Sequence, residues 1–358
     1  MSINTMNKIL VAAAVVALLV TTFSEASVAQ ETMGADNERL EAEVVMEWNW
    51  AMLTMIKEKN ISNQFGNRTM AMVHIAMFDA INGINPEYTP FFVREMAPRS
   101  ISPQAAAAAA AHKILSSLYP AEQETFDSIY REQLSRLPVN PGLGRLSEKY
   151  GEQIANAVLE WRENDWAAQA ASVPYPDGTR LGEWRRTSMM SPMLPGWGQV
   201  VPFAMTTGDQ FRLTGPPPLD SYEYARDYNE VKTIGEKYSA LRTTEQAEIA
   251  LFWPAGIPRM WNLVARQVVE QHQYGLIESA RLFALLTATL ADANVMAWDM
   301  KYHYGYWRPV TAIHYGDVVK IYKITLTICV LSIFLGGILL FSDVGFSQTI
   351  IAFGDSLT

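Results

Sequence analysis

The longest helical pattern in this chain, Leu276 to Tyr304, ends in a cluster of cations and aromatics, and that combination constrains the fold most. Ala284, Leu285, Ala288, Leu290, Ala291, Val295 and Trp298 recur at helical spacing and form one apolar face. The pattern then runs into Lys301-Tyr-His-Tyr-Gly-Tyr-Trp-Arg308-Pro309. Lys301 and Arg308 are seven residues apart, about two helical turns, so both side chains are expected on one helix face. Two cations set among aromatic rings can clamp an oxyanion, the Arg as a planar fork of donors and the Lys as a mobile point charge. The same spacing also suits an ordinary solvated helix end, where Lys and Arg are common.

The remainder of the chain reads in the same helical idiom. A stripe starts near Ala42 and includes Trp48, Trp50 and Leu53, and a second, from Arg68 to Ile84, places Met72, Ile75, Ala76 and Phe78 together. Asn82-Gly83 and Asn85-Pro86 stop the second stripe. His74 lies within it and reads as a core histidine rather than a ligand. Ser102-Pro103 has the cap and first-turn chemistry of a helix start, and Ala105 to Ala111 continue it as a close-packing helix to Leu118. Ala121 to Leu137 and Leu146 to Ala168 give two more helices, divided by Pro138 to Gly144. From Ser172 to Pro218 the pattern disappears among prolines and glycines. A connection of that length is expected to wrap over the helices, packing its Trp and Met side chains, or to shape a pocket mouth. Helices return at Ser221 to Tyr238, after a Thr243–Gln246 cap as far as Trp253, and at Pro258 to Gln273. No alternating strand pattern occurs before residue 310. The expectation is an all-α protein, a helical bundle.

Composition removes several functions. A net charge of -9 and a pI near 5.2 argue against a nucleic-acid partner. The one cysteine, Cys329, excludes an internal disulfide and a cysteine-based metal site. The five histidines show no H-x-x-x-H or H-E-x-x-H spacing, so a zinc hydrolase has no support. Residues 1–29 read as a cleaved secretory signal: Lys8, an apolar core of 15 residues from Ile9 to Phe23, then small residues at Ser27-Val28-Ala29. Export to the periplasm or the outside follows from that reading.

From Met46 to Ile313 the chain resembles the secreted bacterial vanadium-dependent haloperoxidases, which share a superfamily with the type 2 phosphatidic acid phosphatases. The resemblance rests on residues 71–82 (AMVHIAMFDAIN), 194–198 (LPGWG), 220–231 (DSYEYARDYNEV), 258–262 (PRMWN) and 298–313 (WDMKYHYGYWRPVTAI). It implies two helical bundles with an anion site in one of them, and peroxide-dependent oxidation of halide at bound vanadate. Hydrogen peroxide and a halide or small organic molecule would be the substrates. The superfamily pattern is K-x6-R-P, then P-S-G-H, then S-R-x5-6-H. Lys301, Arg308 and Pro309 fit the first block, and by resemblance the two cations hold the equatorial oxygens of vanadate. The other two blocks do not occur in the sequence, and with them go the axial histidine, the second arginine and the acid–base histidine. Weak vanadate binding and an inactive chain are expected. An acid phosphatase of the same superfamily would use the same clamp on phosphate. A third reading, of another kind, is a non-catalytic helical remnant, tethered to a membrane or free.

The resemblance stops at Ile313, and the body assigned to residues 30–319 is therefore expected to be truncated at its C-terminus. Residues 320–347 hold Lys320 and Lys323, then an uncharged run of 18 residues, Ile324 to Phe341. That is long enough for a transmembrane helix and also patterned like a second signal peptide, with small residues near Ser347. Residues 348–358 resemble the opening block of the GDSL-type (SGNH) hydrolases at Gly354-Asp355-Ser356-Leu357, with Ser356 in the place of their nucleophile. A joined haloperoxidase fragment and esterase opening would account for this order of segments.

Overall fold

The computed structural model describes residues 42–253 and 256–316, and every helix or turn element among them is α or 3-10. The helices are α1 (42–58), α2 (Asn63–Ile84), α3 (Pro103–Leu118), α4 (Gln123–Arg136) and α5 (Pro141–Arg162). They continue as α6 (Tyr222–Ile234), α7 (Thr244–Phe252), α8 (Ile257–His272), α9 (Leu276–Tyr304) and α10 (Pro309–Gly316). Extended pairing among the described residues is a single antiparallel bridge, Glu183 with Tyr306. The all-α expectation holds. The leader at 1–29, the apolar segment at 320–347 with Cys329, and Ser356 lie outside the described residues.

Helix boundaries follow local chemistry. Ser102 is extended (φ -80°, ψ 121°) and its Oγ accepts the Ala105 N–H at 3.2 Å, with Pro103 next in the first turn. Thr243 and Gln246 form a reciprocal capping box. α5 starts at Pro141, before the expected Leu146, because Asn140 Oδ1 accepts the Gly142 N–H at 2.8 Å. The Asn-Pro pair is a cap, not a divider. α5 also stops at Arg162 instead of Ala168, and Trp166 shortly after it takes a left-handed φ of 74°. α6 ends at Ile234, short of the expected Tyr238, and the Arg242 guanidinium collects the carbonyls of Ile234 (3.0 Å), Glu236 (2.9 Å) and Lys237 (3.1 Å).

The chain divides into two compact units. Among the described residues, the first holds 42–54, Met72–Leu159 and Leu263–Leu285; the second holds Met55–Ala71, 160–253, 256–262 and 286–316.

In the first unit the Ala105–Ala111 run is buried throughout, as a close-packing helix requires. His74 is fully buried, stacked 5.0 Å from Phe283, with Asn49 Nδ2 and His74 Nε2 3.0 Å apart. Since an amide NH2 can only donate, Nε2 is the unprotonated nitrogen. Asp79, also buried, accepts the N–H groups of Phe91, Phe92 and Val93 at 2.7, 2.8 and 2.8 Å, which turns the chain after α2. Burial raises the Asp79 carboxyl above its ordinary range, against the pull of those three donors.

The second unit is built around buried charge. Asp165 is shared by Arg68 Nε (2.7 Å) and Arg162 Nη2 (2.8 Å). Arg162 has no exposed surface, and its guanidinium also donates to the Val201 and Pro202 carbonyls and lies 4.1 Å over the Phe203 ring. Asp292 on α9 accepts the N–H groups of Phe203, Ala204 and Met205 at 2.6, 2.8 and 2.9 Å. The stretch from Val200 to Met205 is thus fastened to α9 by one carboxylate and to Arg162 by two carbonyls. Trp197 fills the adjoining core with Ala167, Ala170, Val200 and Val295.

Gly198 lets the loop backbone touch α9. A Cβ there would stand 2.6 Å from Asp299 Cα and 2.7 Å from Asp299 N. Backbone cannot step aside as a side chain can, so Gly198→Ala is expected to cost about 1–3 kcal/mol in urea unfolding. A loss below about 0.5 kcal/mol would mean that the loop is free to lift off the helix.

Candidate functional site

Lys301 and Arg308 both belong to the second unit, on opposite sides of a helix end. Lys301 sits partly buried in the last turn of α9. Its Nζ lies 4.6 Å from the Trp298 ring centroid and 5.8 Å from that of Tyr302, within cation–π range. Gly305 then takes φ 52°, its N–H donates to the Lys301 carbonyl at 3.2 Å, and the helix stops. Arg308 follows in irregular backbone. Its carbonyl accepts the Ala312 N–H at 2.9 Å with Pro309 next, so it occupies the cap position of α10.

This corrects the expectation of two cations on one helix face. Spacing alone carries no break, but Gly between Lys301 and Arg308 ends the helix four residues before the arginine. The two side chains are related by a turn and a second helix, not by helical periodicity.

That turn is held by the long connection between α5 and α6. The Trp184 N–H donates to the Gly305 carbonyl at 2.6 Å, the Trp307 N–H donates to the Gly182 carbonyl at 3.0 Å, and the Glu183–Tyr306 bridge lies between. Tyr175 packs edge-on against both Trp184 and Tyr302, with centroids 5.3 and 4.7 Å apart. The Tyr304 and Tyr306 hydroxyls donate to the Leu213 and Pro217 carbonyls. The irregular stretch is therefore a packed wrap over the end of α9, as its Trp and Pro content suggests.

Within this frame the cations are individually placed. Arg308 Nη1–H donates to Thr187 Oγ1 at 3.1 Å. Its Nε is buried and finds no hydrogen-bond partner among the described residues. Trp298 Nε1–H and Tyr302 O–H, beneath Lys301, both donate to the Met193 carbonyl at 3.0 and 2.7 Å. Asp299, two residues before Lys301, gives both oxygens to Arg212, each at 2.7 Å. This bidentate pair neutralises the carboxylate nearest Lys301 in sequence. A third cation joins the region: Arg185, with its Cζ 4.9 Å over the Tyr315 ring of α10 and its Nη2–H on the Arg180 carbonyl.

Two histidines belong to this unit, His303 and His314, and both are exposed. Among the described residues no group of three His, Cys, Asp or Glu side chains could hold a metal ion. Thr187, Met193, Arg185 and Arg212 carry no mark in the sequence that ties them to the site. They lie in irregular chain, where no periodicity points to a partner more than 80 residues away. The adjacent Arg185-Arg186 pair is the one hint of local positive charge.

One family model covers this region. Residues 281–325, which include both cations, match the family model described as the VCPO second helical-bundle domain. The chain is 24% identical to a vanadium chloroperoxidase of Curvularia inaequalis over 69% of its own length and 52% of that protein's, so it spans about half of that relative. A crystal structure of a bacterial vanadium-dependent iodoperoxidase superposes with a TM-score of 0.65 at 22% identity, covering 78% of this chain and 74% of the other. An apo-type bacterial vanadium-dependent chloroperoxidase gives a TM-score of 0.55 at 15% identity, covering 72% and 66%. The described chain has the helical fold found in vanadium-dependent haloperoxidases.

Proposed function

We propose that Lys301 and Arg308 are an oxyanion half-site of haloperoxidase type, which takes vanadate and serves peroxide-dependent halide oxidation. The observation that carries this reading is the state of Arg308. One edge of its guanidinium is fixed by Thr187, while Nε is buried without a protein partner. A buried N–H of a charged group left unpaired is costly, and an oxyanion oxygen is the partner that removes the cost.

These residues fit the oxygens of vanadate. A histidine partner is not among them, since the unit's two described histidines are exposed and the sequence has no P-S-G-H or S-R-x5-6-H block. When bound, the oxyanion would activate peroxide, and Lys301 and Arg308 would hold its oxygens and offset their charge. Held by these two cations alone, the oxyanion should be retained weakly and turned over poorly. Hydrogen peroxide, halide and a small organic acceptor remain the substrates of this reading. Export is proposed on the leader pattern at 1–29, and membrane contact on 324–341. We keep Ser356 as a nucleophile only in a chain that carries the remaining hydrolase blocks.

Bromination of monochlorodimedone with peroxide, bromide and added orthovanadate tests the reading. Turnover should be at or near background in the wild-type chain. Robust turnover that vanishes in Lys301→Met and Arg308→Ala would overturn the claim of an incomplete site while keeping its residues. Phosphate release from an aryl phosphate, abolished by the same substitutions and without halide oxidation, would move the assignment to the phosphatases.

A further inference from the structure

We propose that residues Thr187 to Met193 are a strap that sets the positions of both cations, with Thr187 the positioning residue for Arg308. The inference rests on the oxyanion reading of Lys301 and Arg308 and adds the element that holds them in register. Lys301 stands in the last turn of α9 and Arg308 lies beyond it, at the cap of α10, so no single rigid element fixes their separation.

One short segment touches the supports of both. At its first residue, Thr187 Oγ1 accepts from Arg308 Nη1. At its last, the Met193 carbonyl accepts from Trp298 and Tyr302, the two rings against which the Lys301 ammonium lies. Both strap ends are rooted. Before Thr187, the Trp184 and Gly182 backbone is tied to Gly305 and Trp307. After Met193, Leu194 takes a left-handed φ of 49°, the Gly196 N–H donates to the Ala170 carbonyl at 2.8 Å, and Trp197 is buried in the core. Between the roots the strap faces water, with Met189 99% and Met190 69% exposed.

A threonine hydroxyl suits this task. It accepts from the guanidinium while its own O–H can donate onward, so it orients Arg308 without neutralising it, as a carboxylate would. A strap anchored at both ends turns two mobile side chains into a pair with defined spacing, which lowers the ordering cost of gripping a small anion. Thr187 is exposed and far from the core, so its substitution should leave the fold intact.

Titration calorimetry with orthovanadate on the full chain separates the possibilities. Thr187→Val, nearly isosteric but without the hydroxyl, should weaken binding about three- to tenfold, with the unfolding midpoint unchanged. Thr187→Ser should restore wild-type affinity, which a merely structural threonine would not predict. Wild-type affinity in Thr187→Val, together with loss of binding in Arg308→Ala, overturns the strap and leaves the oxyanion site standing. Absence of vanadate binding by the wild-type chain overturns both. Equal weakening in Thr187→Val and Thr187→Ser also counts against the hydroxyl's role.

Discussion

Replacing Asp165 by Ala is expected to cost about 3–5 kcal/mol of stability. Asp165 Oδ2 is shared by Arg68 and Arg162, and Oδ1 accepts the Ala167 N–H at 3.1 Å. Arg162 has no exposed surface, so removing its counter-charge strands a guanidinium in the interior, where water cannot reach it. Burial already lowers the Arg162 pKa, with Asp165 the first of the charges that oppose the shift. The exposed pair Asp177–Arg186, 3.0 Å apart, is the control, and its disruption should leave stability nearly unchanged. Urea unfolding of both variants gives the comparison. Similar small losses would mean that water enters around Arg162. The substitution should also reach the site, because Arg162 fastens the Val201–Pro202 backbone just beyond Trp197, one root of the strap.

Acid should unfold the first unit through His74. Its folded pKa is lowered from 6.5 to about 3 by burial alone, while the unfolded ring keeps its ordinary value. Between those two values the unfolded state binds the extra proton, so stability is full above about pH 7 and falls as pH drops. Between pH 7.5 and pH 5 the loss from this one group is about 2 kcal/mol, and near pH 3 it approaches 4–5 kcal/mol. In His74→Gln the amide oxygen can still accept from Asn49, and nothing at that position titrates. The variant should therefore lose less stability than the wild type over the same interval, by about 2 kcal/mol. Parallel acid limbs in the two proteins would show that His74 takes up its proton in the folded state.

Much of the helical frame is legible in the sequence because it is written in local chemistry. Leu276 to Tyr304 is helical end to end, as its periodicity demands, and the Ser102-Pro103 and Thr243–Gln246 starts are caps recognisable from neighbouring residues alone. Asn140-Pro141 carries the same signal but an ambiguous one, since Asn-Pro serves turns and helix starts alike. The relation between Lys301 and Arg308 is not legible. Heptad spacing assumes an unbroken helix and passes over Gly305, whose left-handed φ ends it; that the Gly305 carbonyl then pairs with Trp184, 121 positions earlier, has no local signal. The partners of the site, Thr187 and Met193, are likewise set by tertiary packing of an irregular wrap. Nothing within reach of them in sequence specifies a contact.

The most direct measurement is the binding of orthovanadate to the full chain, wild type against Lys301→Met and Arg308→Ala. Weak but specific binding is expected, with a dissociation constant of about 0.1–1 mM, competed by phosphate and lost in each variant while the unfolding midpoint holds. Binding that is unchanged by either substitution, or no binding in the wild type, would contradict the assignment of Lys301 and Arg308 as an oxyanion half-site.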